Sequence, residues 1–118
     1  MTKYAKGILE IVNGSYCHPT AEEIYLEMKK GYPKVVLATV YNNLNQLVAD
    51  RMVRRISMEG SPDRYDRAED RHDHMICRKC GKLSDIRLRD YSEEIADKLG
   101  GGEISYDLKV FYLCEDCQ

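Results

Sequence analysis

The chain has 118 residues, 43% hydrophobic and 32% charged, enough for one ordinary domain or two very small ones, and its composition reads as soluble and globular. No apolar run approaches the roughly 18–20 residues of a membrane span, and the opening MTKYAKGILEIV has no signal-peptide core; a membrane partner is excluded and a cytoplasmic location expected. The net charge of −2 hides an asymmetry: residues 1–58 carry eight Lys/Arg against five Asp/Glu, residues 59–118 ten against fifteen, as a nucleic-acid reader joined to a metal-binding or regulatory half would.

Ala5, Ile8, Leu9 and Val12 recur at helical spacing and predict a first helix ending at Asn13-Gly14. In HPTAEEIYLEMKKG, Thr20 and Glu23 form a capping box, Ala21, Ile24, Tyr25 and Met28 supply a buried stripe, and Gly31 is the expected stop. After Pro33, Val36, Val40, Leu44, Leu47 and Val48 share one face of a third helix, leaving Thr39, Tyr41, Asn42, Asn43, Asn45 and Gln46 outward. MVRRISM and DRYDR are short strands joined through Glu59-Gly60-Ser61-Pro62. Three short helices and a small hairpin describe a winged helix-turn-helix whose third helix faces the DNA major groove.

The boundary is placed near residues 67–71, giving a winged-helix domain over 1–67 and a second domain over 68–118. There, DHMICRK and KLSDIRL read as strands around a turn at Cys80-Gly81, and Asp90 with Glu93 is expected to cap a helix over residues 91–99. The glycines at 100–102 end that helix. Ile104, Tyr106, Leu108, Val110 and Tyr112 alternate, predicting a half-buried strand over 103–113. The fold class is therefore α+β, a winged helix-turn-helix followed by a small α/β domain.

Four of the five cysteines form two C-x-x-C pairs, Cys77/Cys80 and Cys114/Cys117. In a reducing compartment this spacing lets four thiolates close a tetrahedral structural zinc site, with no position left for water or substrate. Free thiols or a redox dithiol are the alternatives. Cys17, alone beside His18, reads as a small packing residue, with a redox role as the alternative.

A second constellation is mixed. His72 and His74 share a strand face, with Asp66 before them and Asp85 after the C-x-x-C turn. With His18 from the first domain the set would be three imidazoles and two carboxylates, suited to Fe(II) or Mn(II) rather than thiol-bound zinc. Surface charges and a solvated RHDH loop are the plain alternative. A small hydrolase using His72, His74 and Asp66 would need an open coordination position and a general base, and no H-E-x-x-H glutamate is present. A zinc-ribbon interaction module would leave the amide-rich third helix unexplained.

HPTAEEIY, ATVYNNL, RYD, HDHMICRKCGKLSDI and CEDC, in this order over nearly the whole chain, resemble the ferric uptake regulator family of metal-dependent repressors, and within it the peroxide-sensing branch. The resemblance implies that His18, Asp66, His72, His74 and Asp85 hold a regulatory Fe(II) or Mn(II) as corepressor. It further implies that peroxide oxidises His18 or His72 at the Fe(II) form, and that a homodimer binds a palindromic operator. Asp at both carboxylate positions, where the iron-sensing branch tends to carry Glu, points to peroxide. Availability sensing of iron or manganese is the alternative within the family. The family pattern also has a helix before the position of Met1 and T-x-Q-R where this sequence has TKYAK, so one DNA-backbone contact is expected to be missing or differently supplied.

In the third helix Asn42, Asn43, Asn45 and Gln46 can pair with adenine edges and Tyr41 can touch a thymine methyl, consistent with an A·T-rich site, and Thr39 is a further DNA-binding candidate. Arg54, Arg55, Lys29, Lys30 and Lys34 are candidates for phosphates. Residues 91–99 and 103–113 offer an apolar face and a strand edge for the dimer.

Overall fold

The structure is a computed structural model that describes residues 1–15, 17–68 and 72–118. The chain separates into two compact units, Met1–Asp70 and Arg71–Gln118; of the expected boundary at 67–71, residues 69–71 lie outside the described residues.

The first unit holds α1 (Lys3–Asn13), α2 (Ala21–Gly31) and α3 (Leu37–Ala49), followed by β1 (Val53–Ile56) and β2 (Arg64–Arg67). Thr2 caps α1 by accepting the Ala5 N–H. The capping box at α2 forms: Thr20 Oγ1 accepts the Glu23 N–H at 3.2 Å while Glu23 Oε1 accepts the Thr20 N–H at 3.1 Å. Gly31 is the last residue of α2 and Tyr32 its C-cap. The core unites Ile8, Val12, Ile24, Met28, Val40 and Leu44 with Val53 and Tyr65 from the hairpin. Large side chains of all three helices and both strands meet there, and each contributes roughly 1.5–3 kcal/mol on full burial.

One core assignment changes. Val36 is 55% exposed and Val35 is buried in its place, because Val36 is the extended N-cap of α3, with φ −112 and ψ 157. Helical spacing does not apply ahead of the first turn.

β1 and β2 pair antiparallel, with Arg54 opposite Asp66 and Arg55 opposite Tyr65. β2 also holds the segment before α2: Tyr65 N–H donates to the Pro19 carbonyl at 2.9 Å, and Thr20 pairs with Arg64 in an antiparallel bridge.

The second unit holds β3 (Asp73–Cys77), β4 (Leu83–Ile86), α4 (Ser92–Lys98), β5 (Lys109–Tyr112) and a 3-10 turn at Glu115–Cys117. β3 is central, antiparallel to β4 and parallel to β5. The β3–β4 turn uses Gly81 at φ +78, where a glycine carries no Cβ penalty.

Two expectations for this unit are corrected. No side chain caps α4, whose N-cap is Tyr91; Asp90 instead accepts the Ser92 N–H at 2.9 Å. The last strand is also shorter than 103–113. Residues 104, 106 and 108 are half-buried with exposed residues between them, but among the described residues the strand itself covers Lys109–Tyr112, paired with β3, and the Leu108 carbonyl accepts the His74 N–H at 3.3 Å just ahead of it. Alternation reports a half-covered face, whereas a strand needs a neighbour for its backbone groups.

Candidate metal centres

The two C-x-x-C pairs converge at one end of the three-stranded sheet. β3 ends at Cys77, and Gly81 N–H returns to the Cys77 carbonyl at 3.0 Å, folding the first pair into a tight turn. The second pair follows β5 and is closed by Cys117 N–H donating to the Cys114 carbonyl at 2.9 Å. Because β5 lies parallel to β3, with Tyr112 opposite Cys77, both pairs arrive together. One sulfur from each of Cys77, Cys80, Cys114 and Cys117 lies within 4.8 Å of the others, and Cys80 Sγ is 3.7 Å from Cys114 Sγ. A tetrahedron with Zn–S of about 2.3 Å has sulfur edges of about 3.8 Å. The donor set therefore fits a thiolate-bound zinc.

The thiols are unequal in acidity. The backbone N–H of Cys114, whose nitrogen is 3.5 Å from Cys77 Sγ, together with that of Cys80, lowers Cys77 to about 5. Hydrogen bonding to the Cys114 sulfur pushes Cys117 up to about 12, helped by desolvation. Crowded sulfurs share protons when only each other is at hand; a divalent cation removes that conflict by favouring thiolate at every corner.

The His/Asp residues occupy both units. In the first, His18 and Asp66 are buried, at 6% and 4% exposure, with His18 Nε2 3.6 Å from Asp66 Oδ2. Asp66 is aimed by its other oxygen, which accepts the Arg67 N–H at 2.9 Å. In the second, His72 and His74 are each 2% exposed. Their rings stand edge to face with centroids 4.9 Å apart. Asp85 Oδ1 lies 3.5 Å from His72 Nε2 and 3.7 Å from His74 Nε2, because β4 places Asp85 opposite His74.

Imidazole nitrogens facing carboxylate oxygens are the hard-to-borderline donors that Fe(II) and Mn(II) accept, and the set contains no sulfur. Cys17 does not match its expected packing role: it is exposed. Residue size and apolar character suggested burial, but the chain turns at His18, at φ 52, and leaves Cys17 outside.

Of the DNA candidates, Tyr41, Asn42, Asn45 and Gln46 are exposed while Thr39 and Asn43 are half-buried. Asn43 Nδ2 donates to the Thr39 carbonyl at 2.8 Å, and its Oδ1 is 3.5 Å from Thr2 Oγ1. Gln46 Nε2 donates to Asp50 at 3.1 Å. Arg55 donates to Asn45 Oδ1 and faces Asp63 and the Tyr65 ring. Arg64, which the residue pattern does not single out, contacts the backbone of the His18 segment; no sequence motif reports a bond to a carbonyl.

A helical trio with a hairpin, a small sheet carrying four sulfurs, and His/Asp sets buried except at Asp85 define a winged-helix protein built around metal sites. Residues 1–111 match the ferric uptake regulator family, and the chain belongs to it. That family comprises dimeric DNA-binding regulators rather than enzymes, which removes the hydrolase reading. The chain is 31% identical to the peroxide-responsive repressor PerR of Staphylococcus saprophyticus, over all of this chain and 82% of that protein. The crystal structure of the Campylobacter jejuni peroxide stress regulator superposes with a TM-score of 0.85 at 32% identity, covering 97% of this chain and 88% of that one. The Helicobacter pylori ferric uptake regulator, described as having three functional metal-binding sites, gives 0.82 at 26% identity, covering 99% and 81%. Among the described residues, no helix is long and apolar enough to cross a membrane.

Proposed function

We propose that this chain is a metal-dependent transcriptional repressor that senses peroxide through oxidation of one of its own ligand histidines and then releases operator DNA. The observation that carries this reading is a pair of sulfur-free His/Asp sets, one in each unit and buried except at Asp85, in which both carboxylates are Asp, in a relative of peroxide-responsive repressors.

Cys77, Cys80, Cys114 and Cys117 would hold zinc, tying β5 to the β3–β4 turn. His18 and Asp66 from the first unit and His72, His74 and Asp85 from the second would share one regulatory ion. Either partial set alone supplies two or three ligands; together they supply five. When bound there, Fe(II) supplies one-electron chemistry toward peroxide, whereas Mn(II) organises the same donors with little such reactivity. The buried imidazoles of His18 and His72 are the expected targets, and an oxygenated imidazole is a poorer ligand. Losing it uncouples the two ligand sets.

Operator binding falls to α3. Asn42 carries an exposed amide that can read adenine, and Tyr41, 40% exposed, can meet a thymine methyl. Asn43 is bound within its own helix and is the weaker candidate. Arg54, Arg55, Lys29, Lys30 and Lys34 would contact phosphates. A homodimer on a palindromic, A·T-rich operator in the cytoplasm completes the reading. Its interface would use the apolar groove of about 450 Å³ lined by Tyr91, Ile95, Leu99, Tyr106 and Leu108.

The test is operator binding by the Fe(II), Mn(II) and regulatory-metal-free forms before and after peroxide. Release from the Fe(II) form alone supports the reading. Peroxide-insensitive repression by both metal forms would make the chain a sensor of metal availability instead.

A further inference from the structure

His18 adopts φ 52, a region that L-residues occupy at a conformational cost, although histidine tolerates it better than most. A ligand held this way needs its backbone fixed on both sides. On the C-terminal side, β2 does this through the Tyr65 N–H to the Pro19 carbonyl, at 2.9 Å, and the Thr20–Arg64 bridge. On the other side, Arg64 Nη1 lies 3.4 Å from the Cys17 carbonyl oxygen and 3.4 Å from that of His18 itself. One guanidinium nitrogen thus spans the two carbonyls that bracket the left-handed turn.

Arg64 lies two residues before Asp66 on the same strand. β2 therefore carries one candidate ligand as a side chain and grips the backbone of the other with a cation. The 3.6 Å approach of His18 Nε2 to Asp66 Oδ2 depends on both. An arginine suits the task, since its planar guanidinium has five N–H donors with no acceptor to repel the carbonyls.

We propose that Arg64 is a positioning residue for the regulatory ion: it acts through the His18 backbone, holding the imidazole in place to bind metal together with Asp66. This rests on the reading that His18 and Asp66 are ligands. Arg64 contributes no donor to the ion. Lysine at this position would keep the charge and a donor nitrogen but on a shorter, flexible arm without the planar guanidinium, and alanine would lose the contact altogether.

The experiment is a Mn(II) titration of the zinc-loaded full chain, with no DNA or peroxide, followed by the electron paramagnetic resonance signal of free Mn(II). Wild type, Arg64→Ala, Arg64→Lys, His18→Ala and the His18→Ala/Arg64→Ala double variant are compared, with zinc content and thermal unfolding recorded for each. Arg64→Ala is expected to weaken Mn(II) binding roughly tenfold, the range for outer partners of metal-ligating histidines, with Arg64→Lys in between and zinc content unchanged. In the His18→Ala background Arg64→Ala should have no further effect, since residues acting through one another are non-additive. Wild-type affinity in Arg64→Ala, or an equal loss in both backgrounds, overturns the proposal. So does a loss of Mn(II) that Arg64→Lys does not relieve and that comes with lost zinc and early unfolding. Failure of the wild type itself to bind Mn(II) would refute the ligand assignment beneath it, a result separable from all of these.

Discussion

His74 and Asp85 face each other across the antiparallel β3–β4 pair, with His74 Nε2 3.7 Å from Asp85 Oδ1. The segment between them contains Cys77 and Cys80, so the hairpin that aims these candidate His/Asp ligands also supplies half of the sulfur site. Side chains of a strand alternate faces, which lets one short hairpin serve two donor sets of different chemistry.

Removing zinc should therefore disturb more than the sulfur end. Cys77→Ser or Cys114→Ser is expected to abolish retention of about one zinc per chain, because a closed tetrahedral site loses a corner, and to impair folding or dimerisation. Elemental analysis and size-exclusion chromatography check this; a zinc-free wild type with unchanged dimer stability would contradict it.

Acid should act in the same direction. Cys77 in the fold is lowered from 9.0 to about 5, so thiolate there favours the folded state at high pH. That contribution declines as pH falls below about 9 and is gone below about 5. Zinc released into a colorimetric chelator should rise as pH falls toward 5, and release independent of pH would contradict the thiolate assignment.

Asp85 is the informative carboxylate because its side chain is 40% exposed and can be lengthened without burying new atoms. Asp85→Glu keeps the charge and should still permit metal-dependent repression, while slowing peroxide-driven operator loss about tenfold, equivalent to about 1.4 kcal/mol in the barrier. An unchanged rate of release would show that the carboxylate's reach does not set the reactivity.

On DNA, Arg54→Ala should weaken binding evenly across sequences and lower the salt slope by about 1. Asn42→Ala should cost about 1–3 kcal/mol of discrimination at one base pair. Equal losses on operator and random DNA for both variants would count against α3 as the reading helix.

Much of this architecture is legible without coordinates. Helices α1 to α3 declare themselves by periodicity because each buries one stripe, and the capping box at Thr20 and Glu23 marks where α2 begins. C-x-x-C spacing is local, so the sulfur site needs only the two strands to bring its halves together. What cannot be read is what depends on a partner. Val35 and Val36 are equally apolar, and the residue at which α3 starts decides between them. Residues 104–108 alternate as a strand would, yet the strand register with β3 starts at Lys109, with only the Leu108 carbonyl bonded to β3 ahead of it among the described residues. His18 and Asp66 are far apart in sequence and meet because β2 pairs with the chain ahead of α2. The grip of Arg64 on two carbonyls leaves no trace in side-chain pattern at all.

The most direct measurement follows operator binding and protein mass together. The Fe(II) form, exposed to peroxide, should release DNA as one oxygen atom is added to a peptide containing His18 or His72, while the Mn(II) form keeps both its DNA and its mass. DNA release without histidine oxidation would transfer the sensing role to Cys17 or the zinc thiolates, and an Fe(II) form that stays on its operator would contradict peroxide sensing outright.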